Sequence, residues 1–171
     1  TVNYSYGNSD WKDLLTGYNG TAINYDLSGN PLNWRNANAL TWNGRRLAGM
    51  TLTNGTELAF EYNSDGLRTS KTAGNSTVQY VWNDGNLVAE IRDGYTLKFL
   101  YNNGEAAGFS YNGADYYYGK DSFGVIRYLY NTSGEVVTTY TYDAWGTVLS
   151  VTGTLAETVG TVNPVRYKSY Y

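Results

Sequence analysis

The feature that most constrains the fold is a recurring turn signature. An aromatic residue is followed directly by Asp or Asn, and a Gly comes two to four residues after the aromatic residue. Asn, Asp and Gly tolerate the positive φ angles that tight hairpin turns require, so the signature predicts a chain reversal at each of these points. The predicted signature residues are Tyr25, Asp26 and Gly29; Trp42 and Gly44; Tyr62, Asn63 and Gly66; Trp82, Asn83 and Gly85; Tyr101, Asn102 and Gly104; Tyr130, Asn131 and Gly134; and Tyr142, Asp143 and Gly146.

The spacing of the signature indicates a repeat of hairpins. The first five aromatic anchors lie 17, 20, 20 and 19 residues apart, which is the length of a two-stranded unit. A second set of turns, such as Thr53-Asn54-Gly55 and Asn112-Gly113, lies between the anchors. Turns at roughly ten-residue intervals are typical of an all-β meander. The predicted fold is therefore an all-β antiparallel meander of hairpins.

The anchors also predict which face of the sheet is buried. Each has an apolar or aromatic partner two residues earlier, as Phe60 precedes Tyr62 and Tyr128 precedes Tyr130, and residues two apart point to the same side of a strand. One face should therefore carry a ladder of aromatic side chains. The regular turns divide the chain into more strands than the ~10 that an open sheet accommodates without curling, which predicts a curved or spiralling sheet. Near the end, Thr154-Leu155-Ala156-Glu157 fits a capping box, and one short helix is predicted at 154–160.

The composition excludes most enzyme chemistry. The 171 residues include no His and no Cys, which rules out His-dependent and Cys-dependent nucleophiles, the usual zinc sites and disulfides. No pair of acids stands out as a catalytic dyad, so we expect no enzymatic activity and no catalytic residue. With 12 basic and 15 acidic residues, a nucleic-acid partner is not expected, and no apolar run is long enough to span a membrane. The Asp and Asn residues should bond their own turns, so no metal and no cofactor is expected.

A longer motif lies towards the C-terminal end. The run Tyr140-Thr141-Tyr142-Asp143-Ala144-Trp145-Gly146-Thr147-Val148-Leu149-Ser150 is followed by Gly153-Thr154-Leu155-Ala156 and by Asn163-Pro164-Val165-Arg166-Tyr167. Together with the repeated turns, this sequence resembles the Rhs/YD-repeat family and its Rhs repeat-associated core. The resemblance implies a YD-repeat hairpin array at 1–139 and the start of the core, truncated at its C-terminus, at 140–171. Both parts are expected to belong to one structural domain.

The resemblance also implies a function. Family members of the bacterial polymorphic-toxin and wall-associated types form a β-shell, and in the toxins the shell encloses a C-terminal toxin. The chain is thus expected to be a non-catalytic fragment of a secreted or cell-surface bacterial protein, with the rest of its own shell and the enclosed toxin as partners. Open sheet edges should favour self-association. The rival interpretation is a carbohydrate-binding surface module whose exposed aromatic rings stack on cell-wall glycan.

Overall fold

A computed structural model describes residues 1–171. Neighbouring strands pair in antiparallel fashion, and strand order in the large sheet is the order in the sequence. The predicted all-β antiparallel meander is therefore confirmed. The chain divides into two compact units, residues 1–80 and residues 81–171. The division at residue 139 that the family resemblance implies stays a prediction.

The first unit contains a small sheet followed by the first hairpins of the meander. The small sheet has three short strands, β1 (Tyr4–Ser5), β2 (Gly17–Tyr18) and β3 (Thr21–Ala22). The meander then runs through β4 (Ala37–Asn43), β5 (Arg46–Leu52), β6 (Glu57–Tyr62), β7 (Arg68–Ala73) and β8 (Ser76–Asn83). The last residues of β8 lie beyond the boundary of this unit.

The second unit continues the meander and ends in short helical turns. Its strands are β9 (Asn86–Arg92), β10 (Tyr95–Asn102), β11 (Glu105–Tyr111), β12 (Ala114–Lys120), β13 (Ile126–Tyr130), β14 (Val136–Tyr142) and β15 (Val148–Thr152). A π-helical turn spans Ala156–Gly160 and a 3-10 turn spans Tyr167–Ser169. The short helix predicted at 154–160 is present, but its capping box is not formed, because Leu155 is the N-cap and no side chain bonds the end. Neither helical turn is long and apolar enough to cross a membrane.

A β-bulge stands directly before the anchor in several hairpins. The register shifts just before Trp42, Tyr62, Tyr101, Tyr130 and Tyr142. At each shift one residue of the returning strand is left unpaired, which bends that strand and increases its twist. The two-residue alternation of faces is therefore interrupted in the returning strand of each of these hairpins.

The bulges explain where the predicted aromatic ladder is right and where it is wrong. Two residues before three of the anchors lie Phe60, Phe99 and Tyr140, whose side chains are 9%, 7% and 1% exposed. On β13, however, Tyr128 is 41% exposed and Leu129 is fully buried. The reason is a register shift in the β12–β13 hairpin, which leaves Arg127 as an extra, unpaired residue. The alternation of side chains therefore shifts by one residue, and Leu129 points inward in place of Tyr128. The ladder prediction is thus wrong at Tyr128.

Candidate functional site

The first recurring element of the site is a turn closed by an Asp or Asn side chain. At Asp143, Oδ1 accepts hydrogen bonds from the backbone N–H groups of Trp145 and Thr147, both at 2.8 Å. The N–H of Gly146 donates to the Asp143 carbonyl at 3.2 Å, and Gly146 itself has a φ of 91°. The side chain thus satisfies backbone donors that the reversal leaves unpaired. The same kind of turn starts at Asp26, Asn63, Asp121 and Asn131.

These turns accept either Asp or Asn because both present the same oxygen. In the Asp turns the bonds also affect ionisation. The backbone N–H of Thr147 holds the pKa of Asp143 below its usual value, and the backbone N–H and side-chain amide of Asn30 do the same for Asp26. The two carboxylates therefore remain charged to a lower pH than an unperturbed Asp.

Three predicted signatures form a different turn. Asn102 is the last residue of β10, and the reversal is made by Asn103 and Gly104, with φ angles of 50° and 82°. Two successive positive φ angles define the type I′ turn that suits a two-residue hairpin. Asp84 and Gly85 make the same turn after β8, with φ angles of 48° and 78°. Asn83 and Asn102 were predicted as turn formers, but they end strands instead, and Trp42-Asn43-Gly44 likewise leads into a short turn at Gly44.

Strand order shows that the predicted series of signatures includes turns from both ends of the strands. Successive antiparallel strands alternate in direction, so in the second unit the turns after β10, β12 and β14 lie at the same end of the strands. The Asn131 turn follows β13 and lies at the opposite end. The turn that completes the series is at Asp121, after Lys120, which follows Tyr101 by 19 residues. Because its anchor position is Lys120 and not an aromatic residue, the signature does not include this turn, although the spacing of the other anchors fits it.

The second recurring element is a hydrogen bond from the anchor to an earlier part of the chain. The Tyr142 hydroxyl donates to the carbonyl of Ile126 at 2.9 Å, and the Tyr101 hydroxyl donates to the carbonyl of Leu87 at 2.9 Å. Burial raises the pKa of Tyr142 to about 12, so its hydroxyl stays a donor at neutral pH. The Trp42 indole donates to Pro31 at 2.7 Å, and the Tyr25 hydroxyl donates to Leu15 at 2.6 Å. Anchors are Tyr or Trp because the ring packs while its polar tip links two segments.

The third element is a tail, residues 155–171, that folds back onto the last strands of the second unit. Its centre is Asn163, which is fully buried. Asn163 Nδ2 donates to the carbonyl of Val165 at 2.7 Å and to the Tyr140 hydroxyl at 3.3 Å, while Oδ1 accepts from the Tyr118 hydroxyl at 3.0 Å. The Tyr140 hydroxyl in turn donates to the carbonyl of Gly160 at 2.8 Å. One amide therefore fixes the tail to β12 and β14.

Arg166 holds the end of the helical turn in the same tail. Its Nε donates to the carbonyl of Asn163 at 3.0 Å, and its Nη2 donates to the carbonyls of Gly160 and Thr161 at 3.1 and 3.2 Å. The guanidinium also lies over the ring of Tyr140, 5.3 Å from its centre. These bonds satisfy carbonyls that a helix end leaves unpaired. The motif from Asn163 to Tyr167 therefore docks the tail, a role that the sequence did not reveal.

A buried ion pair is a further feature that the sequence did not indicate. Glu90 on β9 is fully buried, and its Oε2 accepts a hydrogen bond from Arg92 Nε at 2.6 Å. Arg92 also donates to the Tyr95 hydroxyl at 3.1 Å. Although desolvation opposes the charged form, the Glu90 carboxylate raises the pKa of Arg92. The acidic residues do not gather into a group of three or more that could hold a metal ion.

Comparison with known proteins connects this geometry to a family. No family model matches the chain. The tRNA3(Ser)-specific nuclease WapA of Bacillus spizizenii is 26% identical over 178 aligned residues, which cover 99% of this chain and 7% of WapA. A crystal structure of TcdB2-TccC3-Cdc42 matches 85% of this chain with a TM-score of 0.64 and 16% identity. The Tc holotoxin pore of Photorhabdus luminescens matches with a TM-score of 0.58 and 15% identity.

The matched Tc toxin chains are Rhs/YD-repeat shell proteins. The Rhs/YD-repeat resemblance is confirmed. This chain spans 7% of the length of WapA and 8% of the Tc chains. At 16% and 15% identity, the similarity to the solved structures establishes its fold. The turns at Asp26 and Asp143 carry the Tyr-Asp dipeptide after which the repeat of those proteins is named.

Proposed function

We propose that this chain is a non-catalytic segment of an Rhs/YD-repeat protein, in which its hairpins form part of a β-shell around a C-terminal toxin. The observation that carries the proposal is the anchor bond. Tyr101 and Tyr142 each tie one hairpin to the backbone of an earlier one, so these repeats support their neighbours. Repeat proteins gain stability in this way from contacts between adjacent units.

The proposed mechanism is physical sequestration. Backbone bonds along the strands and side-chain oxygens in the turns satisfy the polar groups of the wall, and buried rings fill its core. Tail docking through Asn163 and Arg166 adds a cover over the last strands. A wall of this kind separates an enclosed polypeptide from proteases and from water. The sheet ends at β15, whose outer edge offers unpaired backbone groups to the rest of the shell or to a second copy.

The proposal places the protein outside the cell or on its surface. Relatives of two kinds support this location, since one is a wall-associated toxin and another is a Tc holotoxin. The named activity of WapA is that of a nuclease, but this chain spans 7% of WapA and has no His for acid–base catalysis. We therefore expect the purified chain to leave tRNA intact at enzyme concentrations at which a control nuclease degrades it. Degradation that persists through purification would contradict the non-catalytic assignment.

Limited proteolysis of the protein that carries this segment tests the shell itself. The C-terminal region should resist trypsin when it is attached to the wall, and it should be cleaved quickly when it is expressed alone. Gly108→Val should abolish the protection, because a side chain there would collide with the backbone of Tyr116 in the neighbouring strand. Gly104→Asn is the matched control, since Asn tolerates the positive φ of that turn. Equal cleavage rates with and without the wall would overturn the proposal.

A further inference from the structure

Two turns of the second unit carry large aromatic rings at their tips. Phe123 lies in the turn after β12 and is 80% exposed, and Trp145 lies in the turn after β14 and is 90% exposed. Both turns lie at the same end of the strands, and β12 and β14 are two strands apart in the sheet. Neighbouring strands are ~4.8 Å apart, so the two turns lie roughly 10 Å from each other. The two rings are therefore neighbours at one end of this unit.

The turns themselves do not require these rings. The backbone N–H of Phe123 donates to the Asp121 carboxylate at 3.0 Å, and that of Trp145 donates to Asp143 at 2.8 Å. The equivalent bonds of two other turns are made by serines, Ser28 and Ser133. The turn thus uses only the backbone of this position, and its side chain is free to serve another purpose. Exposed apolar patches on a protein surface mark sites of interaction.

The tail brings a third ring to this end of the strands. The Tyr167 hydroxyl donates to the carbonyl of Ala144 at 3.2 Å, and the Ser169 hydroxyl donates to the carbonyl of Gly124 at 3.0 Å. The 3-10 turn of the tail is thus tied to both hairpin turns. Tyr170 follows it directly and is 73% exposed. We call these three exposed side chains the ring cluster: Phe123, Trp145 and Tyr170.

The charges around the ring cluster balance one another. Arg166 turns inward and donates to backbone carbonyls of the helical turn. Lys120 contacts Glu105 at 3.6 Å, and Arg127 Nε donates to Asp121 at 3.0 Å. The hairpin turns at this end, the charged residues that adjoin them and the 3-10 turn carry equal numbers of bases and acids, namely Lys120, Arg127 and Lys168 against Glu105, Asp121 and Asp143. This end therefore presents apolar rings in surroundings without a net charge.

We propose that the ring cluster docks this end of the second unit onto the surface of a zwitterionic lipid bilayer. The rings of Trp145 and Phe123 enter the boundary between headgroups and acyl chains, where interfacial segments are buried by about 5–10 Å. The Tyr170 hydroxyl stays at the level of the headgroups, since amphipathic rings favour the membrane–water interface. The inference goes beyond the proposed shell function and does not depend on it.

The shape and the charge of this end favour a lipid surface over other partners. The rings project from separate turn tips, so a soft layer can surround each of them, whereas a protein partner would have to supply a fitted pocket for each ring. Anionic membranes and nucleic acids are held by clusters of Lys and Arg. Two of the three bases here, Lys120 and Arg127, already contact acids. A zwitterionic bilayer requires no such cluster.

Sedimentation of the 171-residue chain with vesicles of pure phosphatidylcholine tests the docking. The chain should pellet with the vesicles, and its partition coefficient should change by less than about twofold when salt is raised or phosphatidylserine is added, because the attraction is not electrostatic. Trp145→Ser and Phe123→Ser should each lower the partition coefficient about five- to twentyfold, because an apolar ring no longer leaves water. Both variants should fold, since other turns carry Ser at this position, as circular dichroism can verify. Val136→Thr, at a site that is 46% exposed at the opposite end of β14, is the control and should bind like the wild type.

Fluorescence quenching by brominated phosphatidylcholine tests the depth of the rings. Trp145 is one of five Trp residues, and its emission should be quenched by bromine placed at the boundary of the acyl chains. Trp145→Phe should keep the partition coefficient within about threefold, because Phe is also a large apolar ring. The same variant should lose the quenching, because its remaining Trp residues lie outside the ring cluster.

The proposal is overturned if the chain does not pellet with phosphatidylcholine, or if Val136→Thr loses as much binding as Trp145→Ser. Binding that requires phosphatidylserine and disappears in salt, or quenching that persists in Trp145→Phe, would equally contradict it. A dimer that forms without vesicles and dissociates in Trp145→Ser would assign the rings to a second copy of the chain instead. Vesicle binding that is lost in a longer protein carrying this segment would show that other parts of that protein cover the rings, and it would also overturn the docking.

Discussion

Replacing Asn163 with Ala tests the docking of the tail most severely. The buried amide accepts a hydrogen bond from the Tyr118 hydroxyl at 3.0 Å and donates one to the carbonyl of Val165 at 2.7 Å. The Tyr140 hydroxyl keeps its bond to Gly160, but the Tyr118 hydroxyl and the Val165 carbonyl lose their partner, and the longer 3.3 Å bond from the Val165 N–H is lost as well. Each orphaned group costs about 1–3 kcal/mol, which places the loss near 4 kcal/mol. That is a large part of the ~5–15 kcal/mol by which domains are stable.

Urea denaturation monitored by tryptophan fluorescence gives the free energy of unfolding for this comparison. Tyr118→Phe alone should cost about 1 kcal/mol. The Asn163→Ala, Tyr118→Phe double variant should be destabilised by less than the sum of the two, because it no longer buries an unsatisfied hydroxyl. Asn38→Ala, at an exposed site on β4, is the control and should change stability by less than ~0.5 kcal/mol. A loss of under ~0.5 kcal/mol for Asn163→Ala, or strict additivity, would refute the reasoning.

Three further predictions concern the repeat. Tyr142→Phe removes the donor to a backbone carbonyl and should lower the free energy of unfolding by about 1 kcal/mol, whereas Tyr170→Phe, at a side chain that is 73% exposed, should have no measurable effect. Gly108→Ala places a Cβ against the backbone of the neighbouring strand and should cost about 2–3 kcal/mol, while Gly85→Ala, with open space around it and a φ of 78°, should cost about 1–2 kcal/mol; the reverse order in thermal melts would contradict the packing. The pKa of Asp143 is lowered in the folded state, chiefly by backbone hydrogen bonds, so its contribution is complete above the unfolded pKa of about 4 and is lost as pH falls through the folded pKa. Asp143→Asn keeps the acceptor without titrating, and its stability should therefore fall less steeply than that of the wild type in acid; identical profiles would show that the turn bonds do not depend on the charge.

The hairpin architecture could be predicted from the sequence because its cause is local. Asn, Asp and Gly at turn positions set the backbone angles within four or five residues, and regular spacing then fixes the meander. The turns at Asp26 and Asp143 illustrate this, since the backbone groups that bond each carboxylate lie at most four residues away from it.

The faces of the strands could be predicted only in part. A bulge shifts the side-chain alternation by one residue, and nothing in the local sequence marks it. For this reason Val137 is buried, whereas Val136 is 46% exposed. Likewise, Tyr130 fits the signature by residue type but not by spacing, whereas Lys120 fits the spacing but has no aromatic ring.

The tail could not be predicted because its contacts are distant in sequence. Asn163 meets Tyr118 across 45 residues and Tyr140 across 23 residues. An Asn in front of a Pro is usually a turn residue, so its local context pointed away from a buried role. The sequence did not indicate the buried Glu90–Arg92 ion pair either, since acidic and basic side chains on strands are mostly solvated.

A cryo-EM reconstruction of the protein that carries this segment would test the central claim most directly. The account predicts that further strands continue the sheet at the outer edge of β15 and that the resulting wall surrounds density for another polypeptide. A reconstruction in which β15 remains an open edge, with solvent on both faces of the sheet and no enclosed chain, would contradict it.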